Sequence, residues 1–374
     1  MFRLKFSYSH NLVNLLCAIE RTKTILESRK IEERRSNELE IKSLSQFVAD
    51  SLIIEKTDIS YENVYKLLTN GENGLESDQV TEAQNLIRAC NYLDEILKKD
   101  DLSIALNQIL EVNRLCYRGV RNKENHTGKI REIQTWTLNN NCSEIAFTPP
   151  SPEKAPGLVN EVLHWIESES VAELHPIIKS GIFYGCIVYI NPFVYGSLKT
   201  ALLLLKHSLE RAGYDFRGWG QLAGYFKMDL DWHHRKLAKA FSGKSEEAEA
   251  ALCGWLEYFS EGVLFIYNQV DKEARRVEEG EDEIMGKYEE ETPGIFVDKL
   301  RGEIDLNERQ RLILELGLRY QTFHRRDIRS DLEITGRYSP KTISRDLKAL
   351  VDLGYLQKGG ERKGVYYTLA KSPH

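Results

Sequence analysis

Lys341, Arg345 and Lys348 stand at i, i+4 and i+7 of the stretch SPKTISRDLKALVDLGY, in which Ile343, Leu347, Leu350 and Val351 take another side of the helical wheel. One face can pack, and the other is left to meet phosphates or base edges. Ser339 suits an N-cap and Pro340 a first turn. In a helix-turn-helix the start of the recognition helix enters the major groove, and here that start carries Ser339, Lys341, Thr342 and Arg345, with Lys348 one turn on. Downstream, YLQKGGERKGVYYTL reads as two short strands around a glycine-rich turn, and its Lys358, Arg362 and Lys363 suit contacts along a nucleic-acid backbone. Upstream, ERQRLILELGLRYQ and HRRDIRSDLEI read as two further helices. Three helices and a hairpin in that order predict a winged helix-turn-helix that binds DNA. The competing reading is a solvated basic face on a module that contacts protein.

Charge separates the same segment from the rest. Residues 308–374 hold 14 Lys and Arg against 8 Asp and Glu, a net +6, whereas the whole chain is −6 and the remainder therefore −12. A polyanion is expected to meet one end only. Other chemistries have weak support. His233 and His234 are adjacent and lack the i, i+4 spacing of a helical zinc pair, so no metal is assigned. His175 precedes a proline and suits capping or packing. The six cysteines lie far apart and read as reduced thiols, mostly buried. No Ser-x-x-Lys, Gly-x-Ser-x-Gly or P-loop pattern occurs.

The elements that must position these groups are mostly helical. With 374 residues, 41% hydrophobic and 29% charged, the chain exceeds one ordinary core and two or three domains are expected. No stretch is long and apolar enough to span a membrane, and the first residues lack a cleavable leader, so a cytoplasmic protein without a membrane partner is expected. Leu12, Leu15, Leu16 and Ile19, then Leu39, Ile41, Leu44, Phe47, Val48 and Leu52, recur at roughly helical spacing. The segment NGENGLES, residues 70–77, predicts a break between helices. Ile130, Ile133, Trp136 and Leu138, followed by Ile145 and Phe147, suggest a short hairpin ended by Pro149 and Pro150. Helices resume near Gly157 and run to about Val277, where VEEGEDEIMGKYEEETPG leads into an acidic linker. The predicted division is a helical region over 1–100, a core over 101–277, the linker over 278–306 and the winged helix over 307–374.

Residues 175–214, HPIIKSGIFYGCIVYINPFVYGSLKTALLLLKHSLERAGY, resemble the centre of the Fic family (filamentation induced by cyclic AMP, or Fido). Its motif, His-Pro-Phe-x-Asp/Glu-Gly-Asn-Gly-Arg-x-x-Arg, has its place taken by Asn191 to Leu202. HTGKIREIQTW from His126 resembles the family's flap, FTPPSPEKAPGLVNEVLHWI from Phe147 its Pro-Pro segment and next helix, and DLDWHHRKLAKAF from Asp229 a later helix. The stretch from Ser51 to Lys56 resembles the inhibitory helix, Ser/Thr-x-x-x-Glu-Gly/Asn, with Lys56 replacing the small or amide residue. The likeness covers residues 45–275 or so. It implies a mainly α fold, a Fic-type helical bundle with a short β-hairpin flap, followed here by the winged helix-turn-helix.

In the family the His is general base, the carboxylate holds a divalent metal, and the Gly-Asn-Gly backbone with two arginines cradles ATP phosphates at a helix N-terminus while AMP passes to a protein hydroxyl. At those positions this chain has Asn191, Tyr195, Ser197, Leu198, Lys199 and Leu202, keeping only Pro192, Phe193 and Gly196. An amide is no base near neutrality, and loss of general-base catalysis alone costs about 10²–10⁴ in rate. The resemblance therefore implies a catalytically inactive or weak pseudoenzyme serving as a DNA-binding regulator or scaffold. The alternative is an adenylyltransferase with altered chemistry, and only there would ATP and magnesium be cofactors. Gly196, Ser197 and Lys199 are the residues left for a nucleotide or other anion, although Lys199 could equally be a solvated charge. Ser51 and Glu55 are the inhibitory-helix positions, but the arginine that Glu55 would meet is Leu202, which leaves it Lys199 or solvent. DNA is the expected partner, a protein target the second, and pairing of winged helices suggests a homodimer.

Overall fold

The computed structural model describes residues 4–70, 77–98, 104–215, 218–242 and 248–278, and further on 310, 313–314, 322–325, 328, 340–360 and 365–369. These fall into two compact units, Met1–Gly286 and Lys287–His374. The expected acidic linker lies outside the described residues except for its first residue, Glu278, as do Ser339, Arg362 and Lys363.

The first unit is helical: α1 (His10–Ser28), α2 (Glu33–Ile54), α3 (Tyr61–Asn70), α4 (Asp78–Lys98), α5 (Leu106–Cys116), α6 (Ala155–Glu167), α7 (Pro176–Ile190), α8 (Ser197–Arg211), α9 (Ala223–Met228), α10 (Leu230–Phe241) and α11 (Ala248–Glu278). None of its described helices is long and apolar enough to cross a membrane. Most are amphipathic. In α1, Leu12, Leu16, Ile19 and Leu26 face inward against α11, and Ser9 caps the helix by accepting from the Leu12 N–H at 3.0 Å. Where α1 gives way to α2, Arg29 Nε donates to Asp271 at 2.9 Å and Arg35 donates to the Val277 carbonyl at 3.0 Å, so the end of α11 is clasped by the N-terminal helices.

Helix α7 is different. Nearly every residue from Ile177 to Ile190 is buried, the pattern of a helix surrounded on all sides. Two glycines allow this: a Cβ on Gly185 would stand 2.3 Å from the Phe241 ring, and one on Gly181 would stand 2.8 Å from Phe259. Tyr184 stacks between Phe226 and Trp255 at ring-centre distances of 5.1 and 6.2 Å, and His233 joins the cluster with Nε2 3.1 Å from the Tyr184 hydroxyl. The His233–His234 pair thus lies in an aromatic core.

The hairpin pairs β1 (Thr137–Leu138) with β2 (Ile145–Phe147), antiparallel and shorter than the alternation suggested. Phe147 is its anchor, stacked on Tyr189 at 5.6 Å, whereas Ile133, Trp136, Leu138 and Ile145 remain exposed. The alternation therefore marks an outward apolar face.

In the second unit, α12 (Pro340–Asp352) buries Ile343, Leu347 and Leu350, and β4 (Leu356–Gly359) pairs antiparallel with β5 (Tyr366–Leu369). Their partner β3 (Thr322–Phe323) on the far edge of β5 lies in a stretch the sequence suggested no strand for.

His175 caps α7. Its Nδ1 accepts from the Ile177 N–H at 3.2 Å while Nε2 lies 3.1 Å from Glu20. Only a ring bare at Nδ1 can accept. Burial lowers its pKa below the ordinary histidine value, more than the Glu20 carboxylate restores it. A folded pKa below the unfolded one means stability that is present above about pH 6.5 and lost as pH falls through the folded value. His175→Ala should therefore cost about 1 kcal/mol at pH 7.5, and the gap from wild type in urea titrations should shrink towards pH 5. A gap that widens on acidification would contradict this assignment.

Candidate functional site

The site is assembled where α7 ends. Asn191 stops the helix in the left-handed region, at φ 48° and ψ 63°, a conformation that asparagine tolerates better than most residues. The chain then turns through Pro192, Phe193 and Tyr195 to Gly196, also left-handed at φ 74°, and enters α8. A Cβ on Gly196 would lie 2.4 Å from the Tyr117 ring, so both conformation and space demand glycine. The Ser197 hydroxyl closes the turn on itself, accepting from the Phe193 N–H at 2.9 Å and donating to the Phe193 carbonyl at 3.2 Å.

Two buried side chains tie this turn to the rest. Asn113 donates to the Tyr195 carbonyl at 3.0 Å and to the Thr200 hydroxyl at 3.2 Å, and its oxygen accepts from the Gly128 N–H at 2.9 Å. Arg131 is 2% exposed. Its guanidinium donates to carbonyls of Asn191 at 2.7 Å, Ile133 at 3.1 Å, Ile190 at 3.3 Å and also Pro150, and its backbone N–H donates to Pro192 at 2.9 Å. A cation at the C-terminal end of α7 meets the negative pole of that helix. One side chain thereby fastens the α7 terminus to the hairpin segment and the Pro-Pro stretch. Burial lowers the Arg131 pKa, with Glu153 opposing.

The start of α8 faces the end of α2. Glu55 Oε1 accepts from the Lys199 N–H at 3.0 Å, and Oε2 accepts from the Tyr117 hydroxyl at 2.7 Å with Lys199 Nζ 3.4 Å away. Lys199 is fully buried, which overturns its reading as a solvated charge. Its ammonium lies 2.9 Å from Glu82 Oε2 and 4.5 Å above the Tyr117 ring centre. Burial opposes the lysine charge, but Glu55 and Glu82 outweigh it and raise its pKa. Burial likewise favours a neutral Glu82, yet Lys199 and Lys123 hold it below the usual carboxylate range. Burial, with Glu55 alongside, pushes the Tyr117 phenol well above its ordinary value. Lys56, next to Glu55, is left-handed at φ 65° and donates to Asn140 at 2.7 Å, which explains why glycine or asparagine would suit this position.

The structure thus brings Gly196, Ser197, Lys199 and Glu55 together around one helix N-terminus. Asn191 stands at the other end of the turn, its amide donating to Thr135 at 3.2 Å. Ser51 is buried in the last turns of α2 and its hydroxyl makes no hydrogen bond among the described residues. Tyr195 is a third exposed, near Tyr117 and His126. Leu202 is buried in the core. In the second unit, Lys341, Arg345, Lys348 and Lys358 are exposed and Thr342 is half-buried.

A family model for the Fic/DOC family matches residues 102–209, which hold α5, the hairpin, α6, α7, the turn and nearly all of α8. The chain carries a Fic/DOC family domain. Among curated relatives of this Fic domain, a protein adenylyltransferase Fic of Nematostella vectensis is 29% identical over 149 residues, 40% of this chain and 32% of that protein. One from Drosophila virilis is 30% identical over 142 residues, 38% of this chain and 27% of that protein. The matched stretch therefore spans about a third or less of these relatives. A solved Fic family protein from Desulfovibrio desulfuricans G20 has the same fold, with a TM-score of 0.57 and 15% identity, over 99% of this chain and 98% of that one.

Sequence reasoning missed Tyr117, Glu82, Asn113 and Arg131 at this site. Glu82 and Asn85 do leave a trace, as polar residues in register with the apolar stripe of Ala83, Leu86, Ala89 and Leu93. Arg131 sits among alternating apolar residues with nothing in its spacing to mark it.

Arg131→Met keeps the stem and removes the donors, leaving several buried carbonyls unpaired. Unfolding free energy should fall by about 3 kcal/mol, and amide exchange should speed up first in residues 130–150. A loss below about 1 kcal/mol with unchanged exchange would refute the fastening role.

Proposed function

We propose that the Fic domain of this chain is a closed scaffold, inactive or nearly so in nucleotide transfer, and that the chain acts on DNA through its C-terminal unit. The observation that carries the first part is the Glu55 carboxylate on the Lys199 N–H at the start of α8, with the Lys199 ammonium already between Glu55 and Glu82. A helix N-terminus attracts an anion through its free N–H groups and its dipole. Here an internal carboxylate provides that anion. Asn191 has no basic lone pair for a target hydroxyl, Tyr195 offers no carboxylate for magnesium, and Leu202 offers no guanidinium for phosphate.

The name carried by the curated relatives, protein adenylyltransferase, supports a second reading in which the domain still transfers AMP from ATP with another base. The two readings differ in a simple measurement. A ligand at a hundred times its Kd stabilises the folded state by about 2.7 kcal/mol. Millimolar ATP with magnesium should leave the melting temperature unchanged, and labelled ATP should leave lysate proteins unlabelled. Robust labelling, abolished by Asn191→Ala, would establish the second reading.

The DNA part is supported by the exposed Lys341, Arg345 and Lys348 opposite the buried Ile343, Leu347 and Leu350 on α12, beside the β4–β5 pair bearing Lys358. Such a helix can enter a major groove while the strand pair follows the backbone. A homodimer would present two such helices to a two-fold site. The full-length protein should bind duplex DNA with log affinity falling linearly in log salt. Replacing Lys341, Arg345 and Lys348 by alanine should reduce that slope by about 3. Absence of any duplex binding at low salt would end the DNA proposal.

A further inference from the structure

The two carboxylates on Lys199 are not equivalent. Glu82 comes from within α4, is 3% exposed, and is fully engaged: Oε2 takes the Lys199 ammonium at 2.9 Å and the Thr57 hydroxyl at 3.0 Å, while Oε1 takes Lys123 at 2.7 Å. Glu55 is the C-cap of α2, its side chain is 16% exposed, and the Lys199 ammonium is 3.4 Å away. It spends its oxygens chiefly on a backbone N–H and a phenol. Unwinding one helical turn would withdraw Glu55. Withdrawing Glu82 would require α4 to leave the core, where Leu86, Ala89 and Leu93 are wholly or almost wholly buried.

We infer that Glu82 determines which anion this site can accept, by keeping the Lys199 ammonium neutralised even when Glu55 has left. The inference rests on the closed-scaffold reading above. With Glu55 gone, the vacated place offers the Lys199 N–H, the Tyr117 hydroxyl and a cation already paired. That set suits one carboxylate-sized monoanion. A phosphate chain brings several negative charges into a buried place where the Glu82 carboxylate repels them and the Lys199 ammonium is already paired. Once the Glu82 charge is removed as well, Lys199 is a buried cation in need of an anion, and a diphosphate can supply it.

The experiment compares full-length wild type, Glu55→Ala, and Glu55→Ala with Glu82→Gln, the last keeping the side-chain volume. Formate and pyrophosphate are the probes, read by melting temperature and titration calorimetry. Formate should raise the melting temperature of Glu55→Ala, and pyrophosphate at equal concentration should not. The double variant should bind pyrophosphate at least tenfold more tightly than Glu55→Ala. Equal pyrophosphate binding by the two, or none by a folded double variant, overturns the inference. Should the double variant prove unfolded by circular dichroism, Glu55→Ala decides alone: stabilisation by formate only upholds the inference, and stabilisation by pyrophosphate overturns it. ATP binding by the wild type would instead overturn the closed-scaffold reading, so the two failures are told apart.

Discussion

A lysine ammonium with no exposed surface must be paid for by charge of opposite sign, and in this protein that requirement organises the site. Lys199 draws Glu55 from the end of α2 and Glu82 from α4, and Tyr117 from the residue after α5 covers the ammonium with its ring. Three segments far apart in sequence are thereby held to the first turn of α8. Stripping such an ammonium of its carboxylates would leave an uncompensated buried charge, which is costlier than the intact cluster is stabilising. The arrangement thus specifies one geometry more than it adds stability.

The other end of the turn obeys the same physics with opposite polarity. Arg131 has carbonyl oxygens around it, including two from the last residues of α7 and the cap, where the helix dipole is negative. The turn from Asn191 to Gly196 is consequently suspended between a buried cation at one helix end and a half-buried carboxylate at the next helix start. Each backbone pole has a side-chain counter-ion. Arg131 comes from the residues that match the Fic/DOC family, and Glu55 from the helix that precedes them.

The sequence made much of this legible, and its silences have physical causes. Helical periodicity located the packing faces of α1 and α2, and the motif comparison located the turn and the opposed Glu55, because local spacing encodes both. It could not decide whether Lys199 faced solvent, since burial depends on α4 and α5 closing over it. Arg131 was invisible and Glu82 left only its break in an apolar stripe for the same reason: each meets partners distant in sequence, Asn191 for one and Lys199 for the other. Lys56 shows the converse, where a departure from a small residue became intelligible once its left-handed backbone and its bond to Asn140 were seen.

Helix α2 has one further property. Its 22 residues make a rod about 33 Å long. Near one end Arg35 grips the Val277 carbonyl in the last turn of α11, and just past the other end Glu55 sits on α8. One stiff element thereby spans the unit from the last described turns of α11 to the carboxylate that meets the first turn of α8.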